Sequence, residues 1–175
     1  MNKKILVMCE GPNEKAIIDI LLDNNKLIFN REDLVDLSVF HARQLSDPQL
    51  LFPLQAYSGC FDIYRIGDTQ KDELKLKDYK ERVGIINKYC TKPELEMLLI
   101  ISEKLVDNYN KENSKPKDFA KSNIVYKRHH YDNSTKFYEE YYEDVDKLVN
   151  ALNEYKRIKT HNANEFYLAD LLINK

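Results

Sequence analysis

Ile5 to Cys9 is an unbroken apolar run that meets Glu10, Gly11 and Pro12 and passes at once into a helical pattern. That junction constrains the fold more than any other feature of the chain. A strand with apolar residues at every position has no solvent face, as in a parallel sheet covered by helices on both sides. Pro12 suits the first turn of a helix, where a missing N–H costs nothing. A helix is predicted over Pro12 to Asn24, with Ile17, Ile20 and Leu21 on one face. An acid at the tip of a buried strand is out of place in a core, so Glu10 asks for a function.

The rest of the chain extends the same reading. Leu34–Phe40 and Phe61–Asp68 alternate apolar and polar residues, and Arg82–Cys90 gives a fourth candidate strand. Asp47–Ser58 is predicted helical, kinked or broken at Pro53. A long helix is predicted from Lys92 to Tyr109, opening with Pro93 and two acids where the helix dipole favours negative charge. Asn110–Asp118 reads as a polar loop, Thr135–Tyr155 as one helix, and Ala163 onward as another with Asn162 and Glu165 at capping-box spacing. The expected fold is α/β: a three-layer core with a mainly parallel central sheet and a helical C-terminal portion. The expected organisation is one domain, made of a core at 1–110, a mobile basic loop at 111–134 and C-terminal helices at 135–175 packed on the core.

Bulk properties narrow the function classes. The 175 residues carry a net charge of −2, so nucleic acid would have to be bound through a local patch. Lys111–His130 supplies one, with six Lys/Arg against two acids; Glu139–Asp146 has five acids and no base and reads as an exposed helix face. No apolar stretch has the roughly 20 residues of a membrane helix, and the N-terminal run is too short for a signal peptide, so a cytoplasmic protein without a membrane partner is expected. Three cysteines without a CxxC pair suit a reducing compartment better than a disulfide framework. No GxxxxGK[ST] loop is present, so ATP hydrolysis by that route is excluded. Among twelve tyrosines, Tyr138, Tyr141 and Tyr142 read as helix packing rather than as nucleophiles.

Three acids stand at ends of elements: Glu10 after the first strand, Asp68 after the third, and Glu96 in the first turn of the helix after the fourth. In an open parallel sheet these ends share one edge, where sites form. Carboxylates gathered there repel one another unless a hard cation such as Mg²⁺ joins them. Such a cation activates water and offsets charge on a phosphodiester. Gly11 lets a phosphate approach the start of the helix closely. In the plainer alternative, Glu10 and Glu14 only complement the helix dipole.

The segments "VMCEGPNE", "RIGDTQKDE" and "TKPELEMLLI" together resemble the RloB-like branch of the TOPRIM superfamily, which also includes OLD-type nucleases. The resemblance spans about residues 3–105, with a weaker echo at "NANEFYLADLL". It implies a TOPRIM-like core, a nuclease acting on DNA or RNA with Mg²⁺ or Mn²⁺, and a role in bacterial or phage defence. It implies Glu10, Asp68 and Glu96 as catalytic metal ligands, with Asp72 as a further ligand. The family's Asp-x-Asp is Asp68-Thr69-Gln70 here, and Lys92 stands in place of the family's Asn. Two alternatives stay open: an inactive TOPRIM-like module that binds nucleic acid or a partner, and a primase-like nucleotidyl transferase. The expected nucleic-acid contacts are Gly11, Lys92, Lys127, Arg128 and His129. An ATPase partner would be a separate subunit, and a homodimer remains open.

Overall fold

The computed structural model describes residues 3–68 and 72–173. Its centre is a five-stranded, all-parallel sheet in the order β2-β1-β3-β4-β7. These strands are β1 (Lys4–Cys9), β2 (Leu34–His41), β3 (Phe61–Gly67), β4 (Val83–Cys90) and the short β7 (Phe166–Tyr167). Leu6, Val7, Met8 and Cys9 are all buried, as an apolar central strand requires. Val7 and Cys9 face one core and Leu6 and Met8 the other, so two separate apolar cores sandwich the sheet. The α/β class with a three-layer core is therefore present.

Helix α1 (Pro12–Asp23) buries Ala16, Ile17, Ile18, Leu21 and Leu22 on the first face, while α2 (Pro48–Ala56) sends Leu50 and Leu54 to the second. The chain leaves β1 toward β2 over one face and returns to β3 over the other. The direction of winding therefore reverses beside β1, the kind of crevice where open α/β sheets bind ligands. Pro53 lies within α2 without ending it.

Several expected elements differ. The predicted helix over Lys92–Tyr109 is two short ones, α3 (Met97–Ser102) and α4 (Val106–Lys111). Lys104 at φ 58° separates them, with Leu105 N–H donating to Ile100 O at 2.9 Å and Lys104 N–H to Ile101 O at 3.0 Å. That pair of bonds is a Schellman stop, and it satisfies the end of α3 with lysine where glycine is usual. The predicted helix over Thr135–Tyr155 is also divided, into α6 (Thr135–Tyr141) and α7 (Val145–Ile158), because Asp144 caps a new start by accepting from Asp146 N–H at 3.1 Å. The segment expected as a loop over 111–134 instead contains α5 (Pro116–Asn123), with Phe119 and Ala120 buried, and a hairpin of β5 (Val125–Tyr126) and β6 (His129–His130).

The helix expected from Ala163 is absent. Asn162 and Glu165 do bond reciprocally, but they shape a turn that delivers Phe166 and Tyr167 beside Tyr89 and Cys90 of β4. Strand pairing there outweighs the local capping signal. Tyr138, Tyr141 and Tyr142 are fully buried, in keeping with their reading as packing residues, and so is Tyr155.

Candidate active site

The parallel register builds the site. Cys9 pairs with Ile66 and Gly67 with Cys90, so the residues that follow these strands emerge along one edge. Glu10 N–H donates to Ile66 O at 2.8 Å and Thr91 N–H to Gly67 O at 3.2 Å, carrying the ladder one step beyond the strands. Glu10 and Asp68 are therefore neighbours because β1 and β3 are adjacent. A Cβ on Gly67 would collide with the Glu10 carboxylate, and one on Gly11 would stand 2.6 Å from Glu14 Oε2. Both glycines make room for an acid.

Glu14 lies in the first turn of α1, and Glu96 directly precedes α3. Gly11, Glu14, Asp68, Glu94, Glu96 and Lys117 are among the residues lining a crevice of about 240 Å³. Burial pushes the Glu14 carboxyl up to about 7, with Asp68, Glu10 and Glu96 pushing in the same direction. Burial also raises Glu10, Asp68 adds to the rise, and Arg43 opposes it from 3.3 Å. Glu10, Glu14, Asp68 and Glu96 thus form one electrostatic cluster.

Glu96 is buried, and the Tyr131 hydroxyl donates to its Oε1 at 2.7 Å. That hydroxyl also lies 3.1 Å from Tyr138 Oη and 3.0 Å from Asn133 Oδ1. Tyr131 has one proton, and the carboxylate is its strongest acceptor, so Tyr138 donates to Tyr131 in turn. Asn13, on α1, donates to Asn133 O at 3.2 Å and ties the 131–134 segment to the crevice wall.

Four buried side-chain oxygens among the described residues have no hydrogen-bond partner, and three of them, Glu10 Oε2, Asn13 Oδ1 and Thr91 Oγ1, belong to residues at this edge. Asp68 acts on Glu10 in two ways, its carboxyl pushing the Glu10 carboxyl up and its backbone N–H opposing that, while Glu10 Oε2 has no partner. A buried oxygen without a donor asks for a water, a proton or a cation. The donor set, hard carboxylate oxygen, fits a divalent cation such as Mg²⁺. Among the described residues no three acids, histidines or cysteines are arranged to chelate one ion as they stand.

The other sequence-predicted residues are distributed differently. Asp72 is exposed and shares a small crevice with Glu10, Arg43 and the buried Arg65, whose guanidinium donates to Asp72 O at 2.7 Å. Gln70 lies outside the described residues. Lys92 is bound to both carboxylate oxygens of Glu165 at 2.5 Å. Lys127 pairs with Glu143 at 2.8 Å, and Arg128 and His129 are exposed on the same hairpin. None of these four lines the carboxylate crevice; of the basic tract, Lys117 does. A larger cavity of about 630 Å³, between α3, α4 and α7, holds none of the clustered acids.

Sequence reasoning assigned Glu14 no more than a helix-dipole role, although it is the second acid of "CEGPNE". Arg43, Arg65, Tyr131 and Asn133 carried no local signal. They reach the site only through packing.

Fold and site together define a class: a parallel α/β protein with a carboxylate-lined crevice at the carboxyl edge of its sheet, beside the strand where the winding reverses. No family model matches the chain, and no curated protein or solved structure gives a significant match. Among the described residues no helix is long and apolar enough to cross a membrane.

Proposed function

We propose that this chain is a nuclease, hydrolysing phosphodiester bonds of DNA or RNA with a divalent cation, Mg²⁺ or Mn²⁺, in the manner of the TOPRIM enzymes it resembles. The observation that carries the reading is the gathering of Glu10, Glu14, Asp68 and Glu96 at one edge, with a Glu10 oxygen buried and undonated. Glu10 and Asp68 would hold the cation, with Glu96 as a third oxygen donor; Asp72 shares a crevice with Glu10 but does not line that of Asp68 and Glu96, and is the weaker candidate. Bound there, a divalent cation supplies an activated water and offsets charge on the phosphodiester. Glu14, poised near neutral pH, is suited to take or return a proton at its carboxyl group. Tyr131 fixes Glu96, while Arg43 and Lys117 offer positive charge to flanking phosphates.

A role in bacterial or phage defence and a separate ATPase subunit rest on the resemblance alone. A cytoplasmic setting suits the buried free thiols of Cys9 and Cys90. The test is cleavage of labelled DNA and RNA with Mg²⁺ or Mn²⁺. Glu10→Gln and Asp68→Asn are expected to abolish it, and activity retained in both variants rejects the assignment.

A second reading, an inactive module that binds nucleic acid or a partner, is favoured by Gln70 in the family's Asp-x-Asp. Calorimetric titration with Mn²⁺ separates the two, since saturable binding lost in Asp68→Asn supports the nuclease.

A further inference from the structure

We infer that the end of β2 is a phosphate subsite, built from Arg43, His41 and Ser46, that holds the sugar-phosphate backbone of a single nucleic-acid strand as it leaves the carboxylate crevice. The inference rests on the nuclease reading and adds the path of the strand to it.

The register places the two regions side by side. His41 pairs with Cys9, and Ala42 N–H donates to Cys9 O at 3.1 Å, so the residues after β2 emerge next to Glu10 on the same sheet edge. A cleft of about 380 Å³ opens there, with His41, Arg43, Ser46 and Gln49 in its wall. Ala42 and Arg43 also line the small crevice that contains Glu10, so the cleft borders that crevice. Strands lie about 4.8 Å apart, so β2 and β3 end roughly 10 Å from each other. Stacked nucleotides advance about 3.4 Å each along a strand, so three of them cover that distance.

The donors are available. Arg43 is 60% exposed and uses only one edge of its guanidinium on Glu10, at the carbonyl and at Oε1. A guanidinium has five N–H groups, so several remain for phosphate oxygens. The His41 ring and the Ser46 hydroxyl are exposed and make no hydrogen bond to any described residue. The polar neighbours are already committed. Gln44 bonds Glu73 O at 3.1 Å and Lys75 N–H at 3.0 Å, and Gln49 donates to His41 O at 3.2 Å. Asp47, the one acid in this wall, accepts from Gln49 N–H at 3.0 Å as the cap of α2. The cleft therefore shows unspent donors beside one acid, Asp47, that is engaged as a helix cap, where the crevice across Glu10 gathers several acids. A chain of phosphates requires that alternation: acids where a cation is to sit, donors where bare phosphate is to lie.

The test is fluorescence anisotropy of a short labelled single strand, DNA and RNA in parallel, with Ca²⁺ replacing Mg²⁺. His41→Glu and Ser46→Asp alter exposed side chains, so the fold is expected to survive, and circular dichroism checks it. Each is expected to weaken binding about tenfold, by placing a carboxylate where a phosphate is to lie. Lys136→Glu, at an exposed position of α6, makes a larger charge change in the same direction and is expected to leave binding unchanged. Affinity in His41→Glu and Ser46→Asp equal to that of the unaltered protein overturns the subsite. So does a mononucleotide that competes as well as the strand. Metal-dependent cutting lost in Glu10→Gln would leave the nuclease reading standing in that event. Binding that falls in His41→Glu while no divalent metal supports cutting would keep the subsite and remove hydrolysis.

Discussion

The Glu10 carboxylate lies over Gly67, in the space where any other residue would carry its Cβ. Gly67 has no left-handed backbone to serve, since no described glycine has positive φ. Its function is clearance. Strand β3 ends in a residue without a side chain so that the acid leaving β1 can bend across it, and Asp68 follows at once.

Gly67→Ala is therefore expected to displace Glu10 rather than only tighten the core. Forcing a methyl group into that space costs on the order of 1–3 kcal/mol. Urea denaturation measures this loss, and Mn²⁺ titration of the same variant should show weakened binding. Unchanged stability and unchanged titration would mean that Glu10 does not depend on this clearance.

The Glu14 carboxyl gives a dependence on pH. Its value in the folded chain, about 7, lies above the ordinary carboxyl value of 4.5. The folded state thus binds more protons than the unfolded state between those values, and stability falls as pH rises through the interval. Without divalent metal, the protein is expected to be more stable at pH 5 than at pH 8, by up to about 3 kcal/mol. Glu14→Gln should flatten that slope and raise stability at pH 8. Paired urea melts at the two pH values measure both effects.

Tyr131→Phe removes the donor to buried Glu96 without changing shape much. Leaving a buried carboxylate oxygen without its donor costs about 1–3 kcal/mol. In a double-mutant cycle with Glu96→Leu, which removes the acceptor, the two losses are expected to be non-additive, since each deletes the same bond. Strict additivity in thermal or urea melts would show that this hydrogen bond contributes nothing.

Lys104→Gly should stabilise. Lys104 occupies the left-handed position of the Schellman stop after α3, where an L side chain costs about 1 kcal/mol and glycine costs little. The urea midpoint is expected to rise with an unchanged slope. A fall would show that the Lys104 side chain contributes more than its backbone strain costs.

Much of the frame was legible along the chain because the forces that specify it are short-ranged. Consecutive apolar residues mark β1, alternation marks β2 and β3, and Gly11-Pro12 marks the start of α1. Once β1 and β3 are parallel neighbours, Glu10 and Asp68 must share an edge, so the candidate acids were identifiable from strand ends alone. What the tertiary structure decided was partnership. Tyr131 reaches Glu96 across 35 residues, Lys92 reaches Glu165 across 73, and Lys127 is drawn to Glu143 rather than to the acids. It also turned the segment after Asn162 into an edge strand, since pairing with β4 outweighs a local cap. Periodicity records which face of an element is buried. It carries no record of which distant side chain will lie against that face, because that follows from how the layers pack.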